Sequence, residues 1–196
     1  MTARDDPVLA RTGGPAGNAR LTSWLGVVLL VAFAVEGFTL LSLHSMLAVH
    51  IFVGTLLVPL ALAKTATTTW RMVRYYLRNK PYRVAGPPPM LLRVLGPAVV
   101  VTTLAVLGTG LALIAVGRGH QMLFLHKATF VLWLAVMSVH VLGRILAAIV
   151  ILTERRFPQG VPGGWWRAAA MSCAVTAGVV AGLLVLPYSN QWTHRF

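Results

Sequence analysis

The segment LHKATFVLWLAVMSVH, residues 125–140, sets a histidine near each end of an almost wholly apolar run. His126 and His140 are fourteen residues apart, about 21 Å along a helix, and fourteen steps of about 100° return to within about 40° of the starting direction. The two imidazoles therefore share one face at two depths. An apolar run of this length is a membrane-crossing pattern, and an ionisable side chain inside such a run is costly unless something compensates it.

The rest of the chain agrees about the solvent. Its 196 residues are 57% hydrophobic and only 11% charged, and the mean hydropathy is +0.76. That is more apolar surface than one soluble core could hide. Five windows are long enough to cross a bilayer, at about residues 22–43, 46–63, 94–116, 122–152 and 168–186. The first window follows a polar stretch containing Gly and Pro and lacks a small-residue cleavage site before a soluble domain, so it is read as a retained span. Fourteen of the seventeen Lys and Arg fall in the N-terminal tail, in residues 64–93 or in residues 144–167. With alternating spans these lie on one side, which the positive-inside rule makes cytoplasmic, with the N-terminus. The net charge of +13 is thus a topology signal, and nothing beyond it suggests nucleic acid. The loop WRMVRYYLRNKPYRVAGPPP suits an inner leaflet, with Trp70, Tyr75 and Tyr76 at the interface and arginines toward anionic lipid. A single cysteine, Cys173, offers no disulfide within the chain.

A repeat organises these spans. Shifting by 76 positions lays HSMLAVHIFVGTLLVPLALAK, residues 44–64, over HQMLFLHKATFVLWLAVMSVH, residues 120–140. His44 then meets His120, His50 meets His126, and Lys64 meets His140. The expected fold is an all-α integral membrane bundle of five transmembrane helices, built on a four-helix core from two similar hairpins. Its parts are a cytoplasmic N-terminal tail at 1–20, a core at 21–156 with repeat units 21–79 and 97–155, and a linker, fifth helix and short tail at 157–196. The second and fourth spans run in the same direction, so a pseudo-twofold along the membrane normal brings equivalent residues to equal depth.

Equal depth gives His50 and His126 a shared chemistry. Imidazoles facing inward from two parallel helices at one level can be the two axial ligands of a low-spin haem iron. The competing reading is that both are packing residues hydrogen-bonded across helices. At the inner level His140 faces Lys64, which either ligates iron as a neutral amine, pairs with a propionate, or snorkels to the headgroups. One haem b is expected and a second at His140/Lys64 is left open. Gly108 and Gly110, in LGTGLALIAVG, would let a porphyrin edge approach the backbone or simply pack helices. Arg118 and Lys127 are the outer propionate partners by charge, and His44 and His120 in the outer turns would meet propionates or a donor protein. Glu36, the only acid within a span, reaches the depth of His50. There it could orient an imidazole, accept a proton from a quinol, or bond a nearby hydroxyl.

The arrangement HKATFVLWLAVMSVHVLGR, preceded by LGTGLALI, resembles the membrane-embedded b-type cytochrome superfamily that includes the b subunits of respiratory formate dehydrogenases and nickel-iron hydrogenases. The first hairpin, with HIFVGTLLVPLALAK and GPPP, is similar to cytochrome-b-like membrane proteins of actinobacteria. The resemblance spans about residues 43–144 and implies a four-helix bundle with two b haems, two of whose ligands lie fourteen apart on one helix, as His126 and His140 do. It implies a subunit of the bacterial cytoplasmic membrane that moves electrons between a quinone pool and a partner redox protein. The departure is at the fourth ligand, where Lys64 stands in place of a histidine. No nucleotide loop, catalytic triad or zinc spacing suggests a catalyst acting alone. The alternative function is a haem-free membrane scaffold, assembly or carrier subunit with structural histidines.

Overall fold

The computed structural model describes residues 11–87, 90–117, 119–153 and 161–193, with the backbone alone at 91, 92, 146–153 and 190–193. It is helical throughout, with no strand among the described residues. The helices are α1 (Gly14–Thr39), α2 (Leu43–Tyr76), the short α3 (Lys80–Val84), α4 (Met90–Val116), α5 (His120–Thr153) and α6 (Gly164–Thr193). A 3-10 turn, Leu40–Ser42, joins α1 to α2.

Four helical segments are long and apolar enough to cross a membrane: Gly14–Tyr76, Arg93–Val116, His120–Ile145 and Gly164–Ser189. The first, 63 residues long, would reach about 95 Å if straight. It does not run straight, because Ser42 leaves the helical region at φ −146° and ψ 61°. The chain reverses there, and α1 lies antiparallel against α2. Asn18 Nδ2 donates to the Thr67 carbonyl at 3.1 Å, Lys64 Nζ donates to the Thr22 carbonyl at 2.8 Å, and Glu36 meets His50. The second hairpin is tied in the same sense: Trp133 Nε1 donates to Thr103 Oγ1 at 3.1 Å, and Thr109 meets His126 and Thr129.

The helices extend beyond the apolar windows. α1 begins at Gly14, inside the stretch expected as a tail, with Pro15 in its first turn, where a missing N–H costs nothing. α2 continues to Tyr76 although the run after Lys64 is rich in Thr, a weak helix former, because once begun the helix satisfies its own backbone bonds. Hydropathy marks where a helix meets lipid, not where it ends.

Four helices form a square. α1 packs on α2, α2 on α4, α4 on α5 and α5 on α1, so that α2 and α5 face each other across a diagonal. The closing contact is aromatic, with Phe33 of α1 and Trp133 of α5 at 4.6 Å between ring centres. Between α1, α2 and α6 lies a core of Leu25, Leu29, Val53, Leu57, Leu60, Ala61 and Ala174. In lipid such packing gains little from the hydrophobic effect and depends on close fit, which small residues permit. On α6, a Cβ added to Gly178 would lie 2.7 Å from the Leu56 carbonyl, and one on Gly182 2.6 Å from the Phe52 ring. α6 therefore sits on the back of α2. At its start, Gly163 adopts φ 80° close to the Arg11 carbonyl, while the Arg167 guanidinium donates to the carbonyls of Thr12, Val161 and Pro162. The start of α6 is thereby fastened to the residues just before α1.

Candidate functional site

The end of the bundle with the Leu40–Ser42 turn and the 117–119 connection, the turn end, brings His50 and His126 together. Each lies about two helical turns into its helix, His50 from the start of α2 and His126 from the start of α5. Their ring centres are 6.5 Å apart and their planes are inclined at 80°. An iron between two imidazoles needs about 2 Å to each ligating nitrogen and about 1 Å more to each ring centre, about 6 Å in all. The observed separation matches that requirement.

The hydrogen bonds around each ring define its tautomer. Thr39 Oγ1 donates to the Glu36 carbonyl at 2.5 Å, so its proton is engaged, and toward His50 Nδ1, 2.9 Å away, it can only accept. Glu36 Oε1 lies 3.0 Å from the same nitrogen and also accepts. His50 Nδ1 thus carries the proton, and Nε2 holds the free lone pair. Across the diagonal, Thr109 Oγ1 donates to the Ala105 carbonyl at 2.8 Å and stands 3.1 Å from His126 Nδ1. Thr129 Oγ1, which donates to the Leu125 carbonyl at 2.9 Å, is 3.1 Å from Thr109. With its proton on the Ala105 or Val106 carbonyl, Thr109 can accept from His126 Nδ1. No side-chain hydrogen bond engages Nε2 of either ring among the described residues.

Both partners belong to the same hairpin as the histidine they hold, which places the control of each ring within its own half of the repeat. Shifted by 76 positions, the Glu36–His50 pair falls on Ala112 and His126, and Thr109 is one turn before Ala112. The scaffolds match in level while the accepting groups differ.

Glycines complete the site. A Cβ on Gly110 would lie 3.2 Å from His126 Cε1, so Gly110 makes room for the imidazole itself. One on Gly108 would meet nothing within 4 Å, leaving an open face on α4. Gly54, one turn beyond His50, accommodates the Glu36 carboxylate, since a Cβ there would lie 3.1 Å from Oε1. Glu36 Oε2 is buried with no hydrogen-bond partner among the described residues. His44, His120 and Lys127 are exposed, and Arg118 lies outside the described residues.

The second expected pair, His140 and Lys64, lies toward the opposite end, the loop end. The two are within electrostatic range of each other. Lys64 Nζ is directed at the Thr22 carbonyl, and His140 Nδ1 is buried with no hydrogen-bond partner among the described residues. No mutual contact like that of His50 and His126 joins them. No group of three or more His, Cys, Asp and Glu side chains suited to a metal ion occurs among the described residues. Two shallow clefts, of about 390 and 360 Å³, open at the loop end beside Trp165, Trp166, Trp70 and Tyr82.

No family model, curated protein or solved structure matches the chain.

Proposed function

We propose that the chain is a five-span b-type cytochrome of a bacterial cytoplasmic membrane, with its N-terminus cytoplasmic, carrying electrons between a quinone pool and a partner redox subunit. The observation that carries this reading is the His50/His126 pair: two rings on diagonal helices, their centres 6.5 Å apart, each with a threonine hydroxyl at its Nδ1. Five crossings follow if the segment Gly14–Tyr76 counts as two, one on each side of its turn, and the asymmetry of Lys and Arg then orients the chain.

Bound between these rings, a haem b would supply a one-electron iron couple. The chain's own part is to hold and tune. His50 and His126 would offer Nε2 lone pairs. Thr39 and Thr109 keep the rings from rotating and the protons on Nδ1, and Glu36, as an acceptor, increases the electron donation of His50. Gly110 keeps the His126 ring close to α4. Arg118 and Lys127, near the start of α5, provide the positive charge that carboxylates at the turn end require.

The geometry supports one haem. A second at His140/Lys64 would require Lys64 to leave the Thr22 carbonyl and turn a neutral amine toward the metal. A different reading, a haem-free scaffold, assembly or carrier subunit, has its own support: Thr39, Glu36 and Thr109 already satisfy one nitrogen of each imidazole, as they would for packing histidines. Absorption spectra decide between the two. Purified protein with a Soret band and a sharp reduced α band of b type, both lost in His50→Ala and His126→Ala, supports the cytochrome. A colourless protein from haem-replete cells rules it out.

A further inference from the structure

Lys64, Arg71, His140 and Arg144 gather at the loop end from α2 and α5. His140 lies within Coulombic range of Lys64 and Arg144, Lys64 of Arg144, and Arg144 of Arg71. Lys64 is held inward, with Nζ on the Thr22 carbonyl at 2.8 Å and beside Gly26, while Arg71 is tied to the Gly86 carbonyl at 3.3 Å. Thr22 Oγ1 and His140 Nδ1 are buried there with no hydrogen-bond partner among the described residues.

Like charges gathered in a partly buried layer repel unless an anion joins them. Among the described residues the chain provides no acid at this end. Glu36, the only acid among the described residues, is at the other end of the bundle on His50. Asp5, Asp6 and Glu154 lie outside the described residues, and four acids against seventeen Lys and Arg leave the chain strongly cationic as a whole.

Depth indicates the source of the anion. From the start of α2 at Leu43 to Lys64 the helix rises about 30 Å, the thickness of the hydrocarbon layer. The cluster is then level with lipid phosphates. We infer that Lys64, Arg71, His140 and Arg144 form a binding site for the phosphate of an anionic phospholipid. Arg144 and Arg71 offer planar forks suited to phosphate oxygens, Lys64 a point charge, and His140 Nδ1 and the Thr22 hydroxyl further polar contacts. The site depends on the membrane reading and not on haem.

The test is thermal unfolding of the purified full-length protein in neutral detergent, titrated with short-chain phosphatidylglycerol, short-chain phosphatidylcholine or inorganic phosphate. Phosphatidylglycerol is expected to raise the midpoint saturably and the other two are not. Arg144→Gln and Arg71→Gln should each weaken the response at least tenfold, while Arg83→Gln, at an exposed arginine of the same end, leaves it unchanged. Arg71→Gln serves alone if Arg144→Gln does not fold. Equal responses to the two lipids, equal loss in Arg83→Gln, or an inorganic phosphate response matching that of phosphatidylglycerol would overturn the inference. So would two haems per chain that fall to one in Arg144→Gln, since propionates would then be the anion. A saturable phosphatidylglycerol response in a preparation without a Soret band leaves this site standing while removing the cytochrome reading.

Discussion

Thr39 and His50 are joined by a 2.9 Å contact in which the hydroxyl must accept, because its proton already goes to the Glu36 carbonyl. A threonine closing one helix thus determines which nitrogen of a histidine on the next is free. Thr109 holds the corresponding place beside His126 Nδ1, at 3.1 Å, with the Ala105 and Val106 carbonyls in reach of its own proton.

Replacing those hydroxyls should loosen the rings without removing them. Thr39→Val and Thr109→Val are expected to retain haem but bind it about 10- to 100-fold more weakly, the usual cost of losing a partner behind a ligand. Haem transfer to apomyoglobin measures this. Unchanged transfer rates in both variants would mean that the hydroxyls do not govern ligation.

Glu36→Gln keeps the size of the side chain and removes the strong acceptor at His50. The expected result is a higher midpoint potential in a redox titration of the α band, because a less electron-rich imidazole favours the reduced iron. A lower potential would contradict the role given to the carboxylate.

The glycines of α4 should separate cleanly. Gly110→Leu forces a branched side chain against a ring that already lies 3.2 Å from a bare Cβ position, and is expected to abolish most haem binding. Gly108→Ala has nothing within 4 Å to meet, and a normal Soret band is expected. Expression-matched spectra of the two variants provide the comparison.

Trp133→Phe removes the 3.1 Å bond from the indole to Thr103 in a buried position. A loss of about 1 kcal/mol is expected, with the tilted ring contact to Phe33 retained. Thermal unfolding in detergent reads the difference, and the Soret maximum should not move.

Haem-to-protein stoichiometry by pyridine haemochrome should be about one to one. A value of two would return Lys64 and His140 to the ligand set and require the Thr22 contact to be given up.

Much of this site was legible in the sequence. A 76-residue shift aligned His50 with His126, and equal depth on parallel spans is a property that spacing carries. Counting back from the turn puts Glu36 at the depth of His50; the level of Gly108 and Gly110 suggests room for a porphyrin edge, whereas Gly110 stands against the His126 ring and Gly108 against nothing within 4 Å. Thr39 and Thr109 were not found. A threonine near a helix end or inside an apolar run is commonplace, and its role depends on the 3-10 turn and on which carbonyl takes its proton. Gly54 was missed because its reason lies on another helix, at the Glu36 carboxylate. The helix ends were missed for a different reason: apolar windows report the solvent, and α1 and α2 continue as helices beyond it.

Gly178 and Gly182 seat α6 on Leu56 and Phe52, behind only one of two similar hairpins. α6 therefore packs on the first hairpin. On the unshielded half, Val131, Leu132 and Leu134 of α5 remain open to whatever surrounds the bundle. The apolar outside of the bundle is therefore uneven, screened by α6 along the first hairpin and bare at these three side chains on the second.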